Sequence, residues 1–88
     1  MGLISYTHPD FWKGYKKLSP DIQRLADNKF DLFKDNPHHP SLGFAKKGNV
    51  WTVDVGYHHR AIGYREGNEI VWFWIGTHEE YNTLMNRL

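Results

Sequence analysis

Two short stretches of the chain carry side chains able to move protons and to hold anions: His58-His59-Arg60 and Gly76-Thr77-His78. Histidine suits acid–base work because its ordinary pKa lies near neutrality. Arginine presents a planar, permanently charged fork that fits phosphate. Arg60 and His78 are therefore the first candidates for chemistry, with His58 and His59 as assistants. Each also has an ordinary structural explanation. Asp54 stands where a cross-strand ion pair with Arg60 would form, and such a pair is worth little in isolation. Thr77 and Glu80 have the spacing of a helix capping box, which accounts for part of the sequence around His78. Successive strand residues face opposite ways, so at most one of His58 and His59 shares a surface with Arg60; His58 is on that side if the strand begins there.

Other residues add weaker signals. Tyr81 has the size to stack on a nucleobase, but its helical spacing with Leu84 and Met85 favours packing. Lys46 and Lys47, together with Lys13, Lys16 and Lys17, form either a local basic patch or a solvated face. His38 and His39 have no carboxylate or further histidine at ligand spacing, so a loop between prolines fits them better than a metal site. Neither a metal nor any other cofactor is expected. Trp72 and Trp74 alternate with Phe73 in an apolar run, which is core far more often than a stacking platform.

These residues need a scaffold, and the periodicity supplies one. Residues 3–7 form a short edge strand, and a helix starts near His8-Pro9-Asp10 with Phe11, Tyr15 and Leu18 on one face. Ser19 is a good N-cap and Pro20 suits the first position of a second helix, whose apolar face is Ile22, Leu25, Ala26, Phe30 and Phe33. Asp35-Asn36-Pro37 ends it, because a residue before proline is biased away from the helical region. A loop covers residues 38–43. The period then changes to two, with strands expected at 44–47, 50–55, 59–64 and 69–75. The last strand is nearly all apolar, as in a strand buried on both faces. Tyr81, Leu84, Met85 and Leu88 complete the chain as a helical stripe. The expected architecture is α+β: a short N-terminal strand, a two-helix hairpin on one face of a mostly antiparallel sheet of about four strands, and a C-terminal helix.

Length and composition set limits on this scaffold. At 88 residues there is room for one domain, spanning 1–88, and only a modest core. Aromatic residues at 16%, four of them tryptophan, compensate by burying large apolar areas. Charged residues at 24% argue against disorder. The absence of cysteine excludes disulfides and thiolate metal sites. The apolar run 70–75 is too short to span a membrane, and residues 1–9 lack the pattern of a secretion signal, so a cytoplasmic location is expected. The net charge of +1 leaves any contact with RNA to a local cluster rather than to the whole surface.

The order and spacing of several motifs resemble the RelE/ParE superfamily of toxins. Trp51-Thr-Val-Asp-Val-Gly56 followed by His59-Arg60-Ala61-Ile62 is similar to the family's arginine-bearing hairpin, and residues 71–78 are similar to its last strand and following turn. Phe11-Trp12, the Lys17-Leu18-Ser19-Pro20 turn and the run from Asn36 to Pro40 extend the resemblance over nearly the whole chain. It implies a microbial RNase-like fold and the toxin half of a type II toxin–antitoxin pair, neutralised by an antitoxin protein. One branch of the family cleaves mRNA at the ribosome without metal; another inhibits DNA gyrase.

On the nuclease reading, a base takes the ribose 2′-hydroxyl proton, an acid protonates the leaving 5′-oxygen, and a cation stabilises the charged phosphorane. The resemblance implies that Arg60 matches the family's active-site arginine and His78 the catalytic histidine of YafQ-like toxins, with His58 or His59 assisting. Lys46, Lys47, Tyr81 and Asp54 are then candidates for substrate contact. The chain departs from the ribosome-dependent RelE pattern at Thr52 and Asp54, which stand where that branch has lysines. A histidine-centred endoribonuclease that inhibits translation is therefore the leading expectation. A gyrase-directed toxin, or a decayed toxin that only binds its antitoxin, is the alternative. Convergence of His78 and Arg60 on one surface would favour the nuclease.

Overall fold

A computed structural model describes residues 3–87. The elements run β1 (Ile4–Thr7), α1 (Pro9–Lys16), α2 (Pro20–Asp35), a single 3-10 turn (Pro40–Leu42), β2 (Ala45–Lys47), β3 (Val50–Val55), β4 (His59–Glu66), β5 (Glu69–Thr77) and α3 (His78–Arg87). The helix starts follow from their caps. His8 Nδ1 accepts from the Asp10 backbone N–H at 3.0 Å, and Ser19 Oγ accepts from that of Ile22 at 3.4 Å, each cap being followed by proline. Leu88, expected in the C-terminal stripe, lies outside the described residues.

The sheet has five strands rather than about four, in the order β1-β5-β4-β3-β2. Strands β2 to β5 form an antiparallel meander, and β1 joins its far edge parallel to β5. The N-terminal strand is thus part of the sheet. Its register puts Ser5 beside Ile70, where Ser5 Oγ accepts the indole N–H of Trp72 at 2.9 Å. That bond satisfies the polar atom of a fully buried tryptophan.

One face of the sheet packs on the α1–α2 hairpin. Phe11, Ala26 and Phe33 from the helices meet Val53, Val55, Ala61, Ile70, Trp72 and Ile75 from the strands. The opposite face carries a smaller cluster, in which Val50 and Ile62 lie under Tyr81, Leu84 and Met85 of α3. The helices therefore flank the sheet on both sides instead of sharing one face.

Strand β5 also differs from the expectation of burial on both faces. Ile70, Trp72 and Ile75 are buried, but Val71 is exposed, as is Tyr64 opposite it. The alternation of Trp72, Phe73 and Trp74 is interrupted: Ile62 pairs with Trp74 while Gly63 pairs with Trp72, leaving Phe73 as an extra residue. This bulge sends both Phe73 and Trp74 toward the α3 cluster.

Candidate functional site

The register aligns Asp54 of β3, Arg60 of β4 and Gly76 of β5 in one row across the sheet. The next row is Val55, His59 and Thr77. Beyond it, the three-residue turn 56–58 closes the β3–β4 hairpin, and α3 begins directly after β5. Asp54, His58, His59, Arg60 and His78 thus gather at one end of the sheet.

Asp54 and Arg60 form the expected pair, with Arg60 Nε 3.1 Å from Asp54 Oδ1. The buried Nε–H is not aimed at a hydrogen-bond acceptor, so the contact is an ion pair without a directed bond. The side chains are 23% and 39% exposed, which keeps the pair in a partly aqueous setting where its worth is at most about 1 kcal/mol. The guanidinium carbon also sits 4.8 Å from the centre of the Tyr81 ring, a cation–π contact. Gly76 leaves the neighbouring row position empty. A Cβ there would lie 2.6 Å from the Trp74 ring and 2.8 Å from a Glu80 oxygen.

His78 occupies the first turn of α3, and its ring lies 5.9 Å from that of Tyr81. The two residues are three apart on one helix, so they share a face. Tyr81 stands as a common neighbour of Arg60 and His78. It is only 6% exposed, so it packs instead of offering a free ring to a base. The capping box is complete: Thr77 Oγ1 accepts from the Glu80 N–H at 3.1 Å, and the Glu80 carboxylate accepts from the Thr77 N–H and hydroxyl at 2.9 and 3.0 Å. Those bonds to Thr77 hold the Glu80 carboxyl below its usual pKa. A further bond, from the His78 N–H to the His58 carbonyl at 2.8 Å, fastens the start of α3 to the β3–β4 hairpin.

The adjacent histidines part company. His58 is exposed at the hairpin tip, next to the start of α3. His59 lies on the other face of the sheet from Arg60, where its Nδ1 is buried without a hydrogen-bond partner. Burial lowers its pKa, the neighbouring His58 adds to the shift, and Glu80 opposes it. His59 borders two clefts. One, of about 440 Å³, runs past Lys17, Ser19 and Glu80; the other, of about 540 Å³, lies between α2 and the hairpin tip.

The lysines stand apart from this cluster. Lys46 pairs with Trp51 and Lys47 with Val50, on the far part of β3. Lys47 and Asp54 share a face, but the distance along β3 from Val50 to Asp54 is roughly 13 Å at strand spacing. Among the described residues, no group of three or more His, Asp, Glu or Cys side chains is placed to hold a metal ion. No helix among them is long and apolar enough to cross a membrane.

Fold and site together invite comparison with known proteins. The sequence profile described as the ParE-like toxin domain matches residues 20–83. This chain belongs to the ParE-like toxin family. The RelE/ParE resemblance read from the sequence is thereby supported at the level of the family. Solved structures share the fold at low sequence identity. The RelB–RelE antitoxin–toxin complex of Methanococcus jannaschii contains a chain superposing with a TM-score of 0.72 at 13% identity, over 90% of this ParE-like chain and 96% of its counterpart. The isolated RelE toxin of E. coli gives 0.62 at 11% identity, over 98% of each chain. A YoeB/ParE toxin from Agrobacterium tumefaciens gives 0.64 at 13%, over 86% of this chain and 99% of the other. No curated protein sequence matches the ParE-like chain significantly.

Proposed function

We propose that this ParE-like toxin cleaves mRNA at the ribosome, by attack of a ribose 2′-hydroxyl on the adjoining phosphate. The observation that carries the reading is that Arg60 and His78, distant in sequence, contact the same Tyr81 ring. The cation and one of the two proton-transfer groups that this reaction asks for thus share one surface. Arg60 receives the phosphate by exchanging the Asp54 carboxylate for the substrate's oxygens, and then stabilises the phosphorane. His78 and the exposed His58 serve as the acid–base pair. Tyr81 acts as a positioning residue that sets the guanidinium and imidazole relative to each other. Lys46 and Lys47 lie too far along β3 for the scissile phosphate and serve RNA farther along the strand. His59, on the opposite face, has no direct part in this step. The reading needs no cofactor. By analogy with the Methanococcus jannaschii complex, an antitoxin protein restrains the toxin.

One observation favours the gyrase-directed alternative. Asp54 already engages Arg60, which reduces the positive charge available for a phosphate. Controlled expression in a bacterial host, with mapping of mRNA 5′ ends, separates the two. The nuclease reading predicts growth arrest with new cuts inside reading frames, lost in both His78→Ala and Arg60→Ala. Growth arrest with DNA-damage signalling and unchanged mRNA ends supports gyrase instead.

A further inference from the structure

The larger cleft opens mainly on the α2 side of the sheet, and it meets the site just described at Asp54 and His58. Asp54, whose carboxylate contacts Arg60, also lines this space of about 540 Å³. Its apolar lining is Ile22 and Leu25 of α2 with Val55 of β3. Lys29, Ser41, His58 and His59 supply the polar part, with the Asp54 carboxylate. The Ser41 hydroxyl is held in place, 3.2 Å from Lys29 Nζ and 2.9 Å from His39 Nδ1. Lys29 has no carboxylate partner among the described residues.

Tyr57 stands at the rim. It is 95% exposed and makes no hydrogen bond or ring contact among the described residues. A tyrosine carried on a loose loop would need no explanation. This turn, however, is held on both sides. Gly56 has a φ of 70° and sits so close to α2 that a Cβ would lie 2.7 Å from the Leu25 side chain. On the other side, the His58 carbonyl accepts the His78 N–H. A rigid mount reduces the entropy lost when the ring meets a partner.

We infer that this cleft is a subsite for one nucleotide of single-stranded RNA, adjoining the scissile phosphate at Arg60, with Tyr57 stacking on the base and Lys29 meeting a phosphate. Aromatic platforms beside an unpaired cation are how single strands are held without reading their sequence. The assignment rests on the nuclease reading, since it is the Asp54 wall that joins the cleft to Arg60.

The test measures binding of a fluorescent 2′-O-methyl RNA oligonucleotide, which cannot be cleaved, alongside cleavage of the ordinary RNA on ribosomes. Tyr57→Ala should weaken binding roughly tenfold or more, while Tyr57→Phe binds like wild type. Being fully exposed, Tyr57 can be changed without disturbing the fold. Lys29→Gln should weaken binding and reduce the salt dependence by about one phosphate contact. If wild type binds and cleaves RNA, and Tyr57→Ala and Lys29→Gln do so equally well, the cleft assignment falls and the nuclease reading stands. If wild type neither binds nor cleaves RNA, both fall. If Tyr57→Ala alone binds the RNA as tightly as wild type, no base stacks on Tyr57 and the inference is overturned.

Discussion

The Arg60 guanidinium lies between two neighbours of opposite consequence: the Tyr81 ring, which steadies it, and the Asp54 carboxylate, which competes with any phosphate for it. Asp54→Asn removes the competition. It should tighten binding of the non-cleavable RNA at low salt while moving the unfolding free energy by less than about 1 kcal/mol, since the pair is partly exposed. Urea titration and fluorescence anisotropy check the two halves. His59 bears on pH. Its pKa is lowered mainly by burial, so the folded protein holds the neutral ring while the unfolded chain binds a proton more readily. The stability tied to His59 is therefore full above the ordinary histidine pKa of 6.5 and declines as pH falls below it, until the folded-state value is passed. His59→Gln should flatten the urea midpoint against pH across that window. The Asp54–Arg60 pair was legible from strand alternation alone. The side taken by His58 was not, because it turns on where β4 begins, and the strand starts one residue later, at His59. The cleft lined by Lys29 and Ser41 was invisible in sequence, since α2 and the turn after it meet the hairpin tip only in three dimensions.

At the scale of elements, α3 matters most for the site, because its first turn carries His78 and Tyr81. Its start is set by the reciprocal bonds of Thr77 and Glu80. Thr77→Ala should cost about 1 kcal/mol of stability, the usual worth of a cap, read from urea unfolding. It should also lower cleavage more than that loss explains, by loosening His78 against Arg60; cleavage equal to wild type would detach the helix start from the chemistry. This capping box was legible as spacing, as were the Ser19-Pro20 start of α2 and the alternation of β3. What the pattern did not reveal has physical causes. The bulge at Phe73 hides in a continuous apolar run, where period two leaves no mark. The placement of α3 on the second face depends on Ile62 and Val50 offering an apolar surface there, a fact of the folded sheet rather than of the helix's own stripe.

At the scale of the whole molecule, β1 closes the fold by pairing with β5, across most of the chain. Sequence periodicity gave the strand but not its neighbour, because four residues of alternation carry no information about partner or direction. The family resemblance and the α+β architecture were both recoverable, since they rest on the order of long, strongly patterned elements. The resulting arrangement brings β3, β4, β5 and α3 to one end of the sheet, the end to which we assign RNA cleavage. The most direct measurement is cleavage of ribosome-bound mRNA by the purified toxin, comparing ordinary RNA with RNA carrying one 2′-O-methyl group at the cut site. Cutting of the first and not the second is expected, with loss of at least about 100-fold in rate on Arg60→Ala, the scale set by removing a group that stabilises a charged transition state. Intact mRNA in both samples, alongside loss of gyrase supercoiling activity when the same toxin is added, would contradict it.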